Sequence, residues 1–265
     1  MKRLPEPPLE PPPSYWDEHE EDSAPESWLD RFLKEKKIMR IIEPSVEILH
    51  APDYQQMLTH TELAARTCYK SEDRIKDGSA EELIKRLIAS GHHSVLEHQS
   101  ISVRFICDRG VSHELVRHRL CSFSQESTRY CNYLGEKFGS ALTFIRPMFF
   151  FGDDITYQIW SDAMFAVESA YFDLLKEGAS PQEARSVLPN SLKTEIVVTA
   201  NIRQWRTMFE QRCAPAAHPQ MRQVMLPLLH RFIENYAVFF EGVTDLYWHG
   251  RGQFDHTGWQ LAEVK

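Results

Sequence analysis

Long hydrophobic runs are missing from this 265-residue chain. No stretch of about eighteen apolar residues occurs, so no helix is expected to span a bilayer. Glycine is scarce, at eleven residues, and neither Gly-x-Gly-x-x-Gly nor Gly-x-x-x-x-Gly-Lys-Ser/Thr is present. Rossmann-type dinucleotide binding and a P-loop are therefore excluded, and a cofactor would have to be held by side chains and helix ends. A basic excess is also absent, since 30 Lys and Arg face 38 Asp and Glu for a net charge of -8. That balance argues against a general nucleic-acid or membrane-surface binder, so phosphate would have to be met by a local basic pocket. The five cysteines, Cys68, Cys107, Cys121, Cys131 and Cys213, are odd in number and form no Cys-x-x-Cys pair. Neither a disulfide framework nor a cysteine zinc site is suggested, and reduced thiols in a cytoplasmic setting are expected. Lys2 and Arg3 are followed by no apolar stretch, so no secretory signal is expected.

What is present reads as one folded domain behind an extension. Hydrophobic residues make up 42% and charged residues 26%, the balance of an ordinary globular protein. Seven of the fifteen prolines lie between Pro5 and Pro25, interleaved with Glu and Asp. Such sequence buries too little apolar surface to offset ordering entropy, so residues 1–38 are expected to be disordered, with a short helix around Trp28, Leu29, Phe32 and Leu33. The folded domain is placed at 39–265. Val46 to His50 reads as a strand and Asp53 to Lys70 as a helix. Ser79 and Glu82 have capping-box spacing for a helix that Gly91 ends. Ile101, Val103, Phe105 and Cys107 alternate with polar residues, which predicts a half-buried strand. Ser112 is expected to cap a short helix running into Arg117. Trp160 to Leu175 makes a helical stripe closed by Gly178, and Ser180-Pro181-Gln182-Glu183 opens another helix. Lys193 to Ala200 is strand-like, and helices follow from Ile202 to Arg212 and from Pro219 to Phe240, the latter kinked by Pro227. Helices and strands mix without βαβ alternation, which predicts an α+β fold with a mixed sheet flanked by helices.

The densest chemistry lies between Arg117 and Tyr130. Fourteen residues hold Arg117, His118, Arg119 and Arg129 together with five hydroxyl groups. Guanidinium forks grip phosphates and carboxylates at two points, and hydroxyls beside them orient a polar ring. On a continuous helix Arg117 and Arg119 would lie about 200° apart, so either the helix breaks at His118 or they serve different ligands or subunits. A second polar cluster, His92, His93, Ser94, Glu97 and His98, lacks the His-Glu-x-x-His zinc spacing, and the inverted form would need histidine in place of Ser94. No Gly-x-Ser-x-Gly elbow surrounds Ser127, which weakens a serine-hydrolase reading.

Arg117-His118-Arg119, seven residues and then Ser127, continued by Thr128-Arg129-Tyr130, resembles the signature of the flavin-dependent thymidylate synthases. The resemblance implies a homotetramer with active sites between chains. It further implies FAD as cofactor, and dUMP, 5,10-methylenetetrahydrofolate and NADPH as substrates. On the flavin side it places His92, Ser94, Glu97, Arg117, His118, Arg119, Gln125, Asn201, Arg203 and Thr207, the last where Asn or His is more usual. On the nucleotide side it places Glu114, Arg117, Gln125, Glu126, Ser127, Thr128, Arg129, Arg185 and Arg212. Arg212 matches the arginine on the uracil edge that favours ionisation of ring N3, a role for fixed positive charge. Cys213 beside it lacks the Pro-Cys-His context of the other thymidylate synthase class and is expected to be a small buried hydrophobe. A non-catalytic nucleotide- or RNA-binding module and a histidine-metal hydrolase remain as alternatives, and no metal site is expected.

Overall fold

The computed structural model describes residues 39–133, 135, 139–150 and 154–243. The expected extension over 1–38 and its short helix lie outside them. Two sheets organise the chain. A four-stranded antiparallel sheet is built from β2 (Ser45–His50), β3 (Ser100–Asp108), β4 (Cys121–Gln125) and β6 (Lys193–Asn201), in the order β2-β3-β6-β4. A two-stranded parallel pair joins β1 (Arg40–Ile42) to β5 (Thr143–Ile145). The α+β expectation holds, and parallel and antiparallel pairings both occur, in separate sheets.

The alternation read for β3 is what buries it. Ile101, Val103, Phe105 and Cys107 are all fully buried, and β6 answers with buried Thr194, Ile196, Val198 and Ala200. Against this face pack α6 (Ile202–Arg212) and α7 (Pro219–Tyr236). Trp205 stacks on Phe105 and Phe209 at 6.5 and 5.8 Å, and Phe232 meets Trp205 edge-on at 5.3 Å. Aromatic pairs of this geometry add about 1 kcal/mol each beyond the area they bury. The same core takes in α1 (Tyr54–Thr67) and α2 (Ser79–Ala89). A second core gathers Phe144 of β5, Leu192, and Trp160, Met164, Tyr171 and Phe172 of α4 (Ile155–Lys176).

Four boundaries differ from the sequence reading. Ser79 makes no capping box: Gly78, at φ 76°, precedes the helix, and the Ser79 hydroxyl donates to buried Glu62 at 2.7 Å. The helix α3 (Arg109–Leu115) starts earlier than predicted because Asp108 caps it, accepting from the Val111 amide at 2.8 Å. Ser112 is then inside the helix, fully buried. The capping box at Ser180 and Glu183 is formed, but α5 (Pro181–Ala184) is a single turn followed by a 3-10 turn at Arg185–Val187. Pro189 forces Leu188 into extended backbone and stops the helix there. Helix α7 runs through Pro227 and gives way at Tyr236 to a 3-10 turn, Ala237–Phe240. Gly91, at φ 74°, ends α2 as predicted and turns the chain into a 3-10 segment, His93–His98.

Candidate functional site

Strand directions decide which predicted residues meet. In the antiparallel order, β3 begins, β6 ends and β4 begins at one edge of the sheet, with Ser100 opposite Asn201 and Cys121 opposite Ala200. The segments carrying His92 to Glu97, Arg117 to Arg119, and Asn201 to Arg203 therefore arrive at the same end. Asn201 caps α6, its side chain accepting from the Gln204 amide at 2.8 Å, while the Ile202 amide donates to the Gln99 carbonyl at 3.0 Å. Arg203 forms an ion pair with Glu97 at 2.6 Å, both about half exposed. His92, Ser94 and Glu97 are exposed. Thr207 spends its hydroxyl on the Arg203 carbonyl, one helical turn back, at 3.2 Å.

The helix question at Arg117 is resolved by the end of α3 at Leu115. Residues 116–118 form a tightening turn, in which the amides of Arg117 and His118 donate to the Glu114 and Leu115 carbonyls. The turn sends Arg117 and Arg119 outward and buries His118 between them. His118 meets Arg212, the last residue of α6. Arg212 Nε donates to His118 Nε2 at 2.9 Å, Nη1 to Glu114 Oε2 at 2.5 Å, and Nη2 to the Glu114 carbonyl at 3.1 Å. Burial first, and then the Arg212 guanidinium, push the His118 pKa down to about 4. His118 is thus neutral near pH 7 and accepts through Nε2, which puts its own proton on Nδ1. Cys213, next in the chain, is buried, and burial raises its thiol to about 12, so it is a core side chain and not a thiolate.

At the far end of β4 a second network holds the start of the predicted nucleotide loop. Gln125 donates to the hydroxyls of Ser112 and Thr194 at 2.9 and 3.2 Å. Glu126 accepts from Tyr133 and from Lys193, both at 3.0 Å, and the Lys193 ammonium also reaches Glu195 at 2.6 Å. Ser112, Tyr133, Thr194 and Lys193 are not among the site residues expected from sequence. The visible signal was Lys193 and Glu195 at i, i+2 on one face of a strand. Beyond Glu126, Thr128 is buried, and the Ser127 hydroxyl accepts from the Arg129 amide at 3.3 Å. The Arg129 guanidinium lies 5.3 Å from the Tyr130 ring centre. Arg185 is exposed beside the second core.

Among the described residues no ion pair ties down Arg117, Arg119, Arg129 or Arg185. Unpaired exposed guanidinium groups in so acidic a chain are free for an external anion. Among the described residues, no group of three or more His, Cys, Asp or Glu is placed to hold a metal ion, and no helix is long and apolar enough to cross a membrane.

Known proteins give this arrangement its place. The family model described as "Thymidylate synthase complementing protein" matches residues 52–236. A protein of Geobacter sulfurreducens named flavin-dependent thymidylate synthase is 33% identical over 187 residues, covering 68% of this chain and 78% of that protein. Its namesake in Pyrococcus furiosus is 32% identical over 161 residues, covering 60% of this chain and 65% of that protein. In fold, the chain resembles a UMP/dUMP methylase of Streptomyces cacaoi solved with 5-bromo-dUMP, with a TM-score of 0.64 at 24% identity over 79% of this chain and 98% of that one. With most of the chain matched and its arginine-rich turn intact, the protein belongs to the flavin-dependent thymidylate synthase family.

Proposed function

We propose that the protein makes dTMP from dUMP by reductive methylation, with 5,10-methylenetetrahydrofolate as carbon donor, NADPH as reductant and FAD as cofactor. Family membership supports the reaction class. The observation that carries it to particular residues is Arg212, fixed at the end of α6 with three of its five N–H donors satisfied inside the protein. Two donors remain, on a side chain still 20% exposed, for a group that gains negative charge.

The residues present fit a flavin dinucleotide. The N-terminus of α6, where the Ile202 and Gln204 amides are already bound within the protein, offers the Arg203 amide, the positive end of a helix dipole and the Arg203 cation for a pyrophosphate, with no glycine loop needed. Asn201, His92 and Ser94 lie at the same sheet end and complete the donor set. Bound FAD would supply hydride transfer between NADPH and the pyrimidine, chemistry that no side chain here can perform. The protein's own part is orientation and charge. Arg212 favours the ring-ionised pyrimidine, Ser127 and Arg129 hold phosphate or a uracil carbonyl, and the partly buried network of Glu126, Lys193 and Tyr133 fixes the start of that loop.

Ser127 and Arg119 stand toward opposite ends of β4, and Arg185 is exposed beside the second core. This separation supports a site completed between chains of a homotetramer, with the exposed arginines of one copy reaching ligands held by another. A visible spectrum tests the reading. Purified protein is expected to show flavin bands at about 375 and 450 nm and to turn over dUMP with the folate and NADPH. Colourless protein without dTMP formation contradicts it.

A further inference from the structure

The resemblance implies that His118 contacts flavin and Glu114 contacts nucleotide, and in this chain each is also bound to Arg212. Nε2 of His118 is occupied by Arg212 Nε, and the side chain is buried, with 6% of its surface exposed. The Glu114 carboxylate and carbonyl each take one end of the same guanidinium. We propose that Glu114 and His118 are positioning residues for Arg212, clamping its guanidinium plane so that the two remaining N–H bonds point in one fixed direction. The proposal rests on the role given to Arg212 above.

The physics is that of a preorganised donor. An arginine on a flexible stem loses rotamer freedom when it is fixed, and it serves a transition state best when that loss is met before the ligand arrives. Three bonds to two residues, both flanking the turn that ends α3, meet it here. The fork geometry at Glu114 fixes the in-plane orientation, and the bond at Nε blocks rotation of the head group. A neutral His118 is the right partner, because imidazolium would present a second cation and no acceptor. The Nδ1–H tautomer that this bond requires is compatible with the pKa depressed by burial.

Reach separates this role from direct contact. Glutamine at 118 can set an acceptor oxygen where Nε2 stands, whereas asparagine places its oxygen one atom short. His118→Gln is therefore expected to keep a kcat at least about ten-fold higher than that of His118→Asn. The difference between the two variants should appear in kcat, with KM for dUMP and flavin content alike in both. At 114, Glu114→Gln keeps the reach without charge and Glu114→Asp keeps the charge without reach, so Glu114→Gln should be the more active. The Nε–H resonance of Arg212 in 15N-labelled protein gives a readout independent of turnover. It should be protected from exchange in wild type and His118→Gln, and lost in His118→Asn. An active wild type with His118→Gln and His118→Asn alike, or with effects on KM or flavin content alone, overturns the positioning role. A wild type without flavin or turnover overturns the functional reading instead, and unprotected Arg212 Nε–H in that protein overturns the clamp as well.

Discussion

Arg203 and Arg212 occupy the two ends of one helix, α6, about 14 Å apart along its axis. Arg203, in the first turn, pairs with Glu97 of the 3-10 segment before β3. Arg212, the last residue, is bound by Glu114 and His118 at the end of α3. One rigid element thus sets the spacing between the cation proposed for the flavin and the cation proposed for the pyrimidine, and it is itself held by Trp205 and Phe209 in the core.

The two ends should fail in different ways. Arg212→Ala is expected to leave flavin bound while lowering kcat by about 100-fold or more, the usual loss for a donor to developing charge. Steady-state turnover and the flavin spectrum of one preparation decide this, and unchanged turnover would refute the assignment.

Arg203→Ala should do the reverse and act first on occupancy. Its ion pair with Glu97 is half exposed and worth at most about 1 kcal/mol to folding, so the melting temperature should barely move. The flavin-to-protein absorbance ratio after gel filtration should fall several-fold. Full flavin content in this variant would remove Arg203 from the cofactor site.

His118 ties stability to pH with a definite sign. Its folded pKa of about 4 lies below the ordinary 6.5, so between these values the unfolded chain binds the proton and the folded chain does not. The contribution is fully present above pH 6.5 and is lost as pH falls toward 4, by on the order of 2 kcal/mol after allowance for solvent screening. Urea unfolding at pH 7 and pH 4.5 should show this component in wild type and lack it in His118→Gln. Equal pH slopes for the two proteins would count against a buried neutral imidazole.

Glu62 is a buried charge held by partners on two helices. It is 3% exposed and accepts from Arg66 Nε and from the Ser79 hydroxyl, each at 2.7 Å. Glu62→Ala strands the buried Arg66 cation and should cost about 3 kcal/mol, lowering the melting temperature by roughly 10 °C. A shift below about 2 °C would mean that Arg66 swings out to water.

Composition also makes a prediction for the extension. Deletion of residues 1–26, proline-rich and acidic, should leave turnover and assembly intact. Loss of the oligomer on gel filtration after that truncation would give the segment a structural role.

Legibility from sequence followed periodicity and range. The strand at Ile101 to Cys107 and the helix at Trp160 to Leu175 could be read because their apolar spacing repeats over many residues. Strands β1 and β5, three residues each, carry no period, and their pairing joins residues about a hundred positions apart. Strand β4 was hidden for another reason: its serines and Gln125 drew attention as ligand groups, while Cys121 and Phe123 supplied a weak alternation. Arg212 was visible through family resemblance, but its clamp was not. His118 and Glu114 lie 94 and 98 positions away, brought to it by the packing of α6 across the sheet end.

The most direct measurement of the central claim is dTMP formation by purified protein supplied with dUMP and 5,10-methylenetetrahydrofolate, with and without NADPH. The prediction is dTMP that accumulates over many turnovers only when NADPH is present, from protein that carries flavin. Absence of dTMP under both conditions from flavin-loaded protein, or turnover indifferent to reductant, would contradict it.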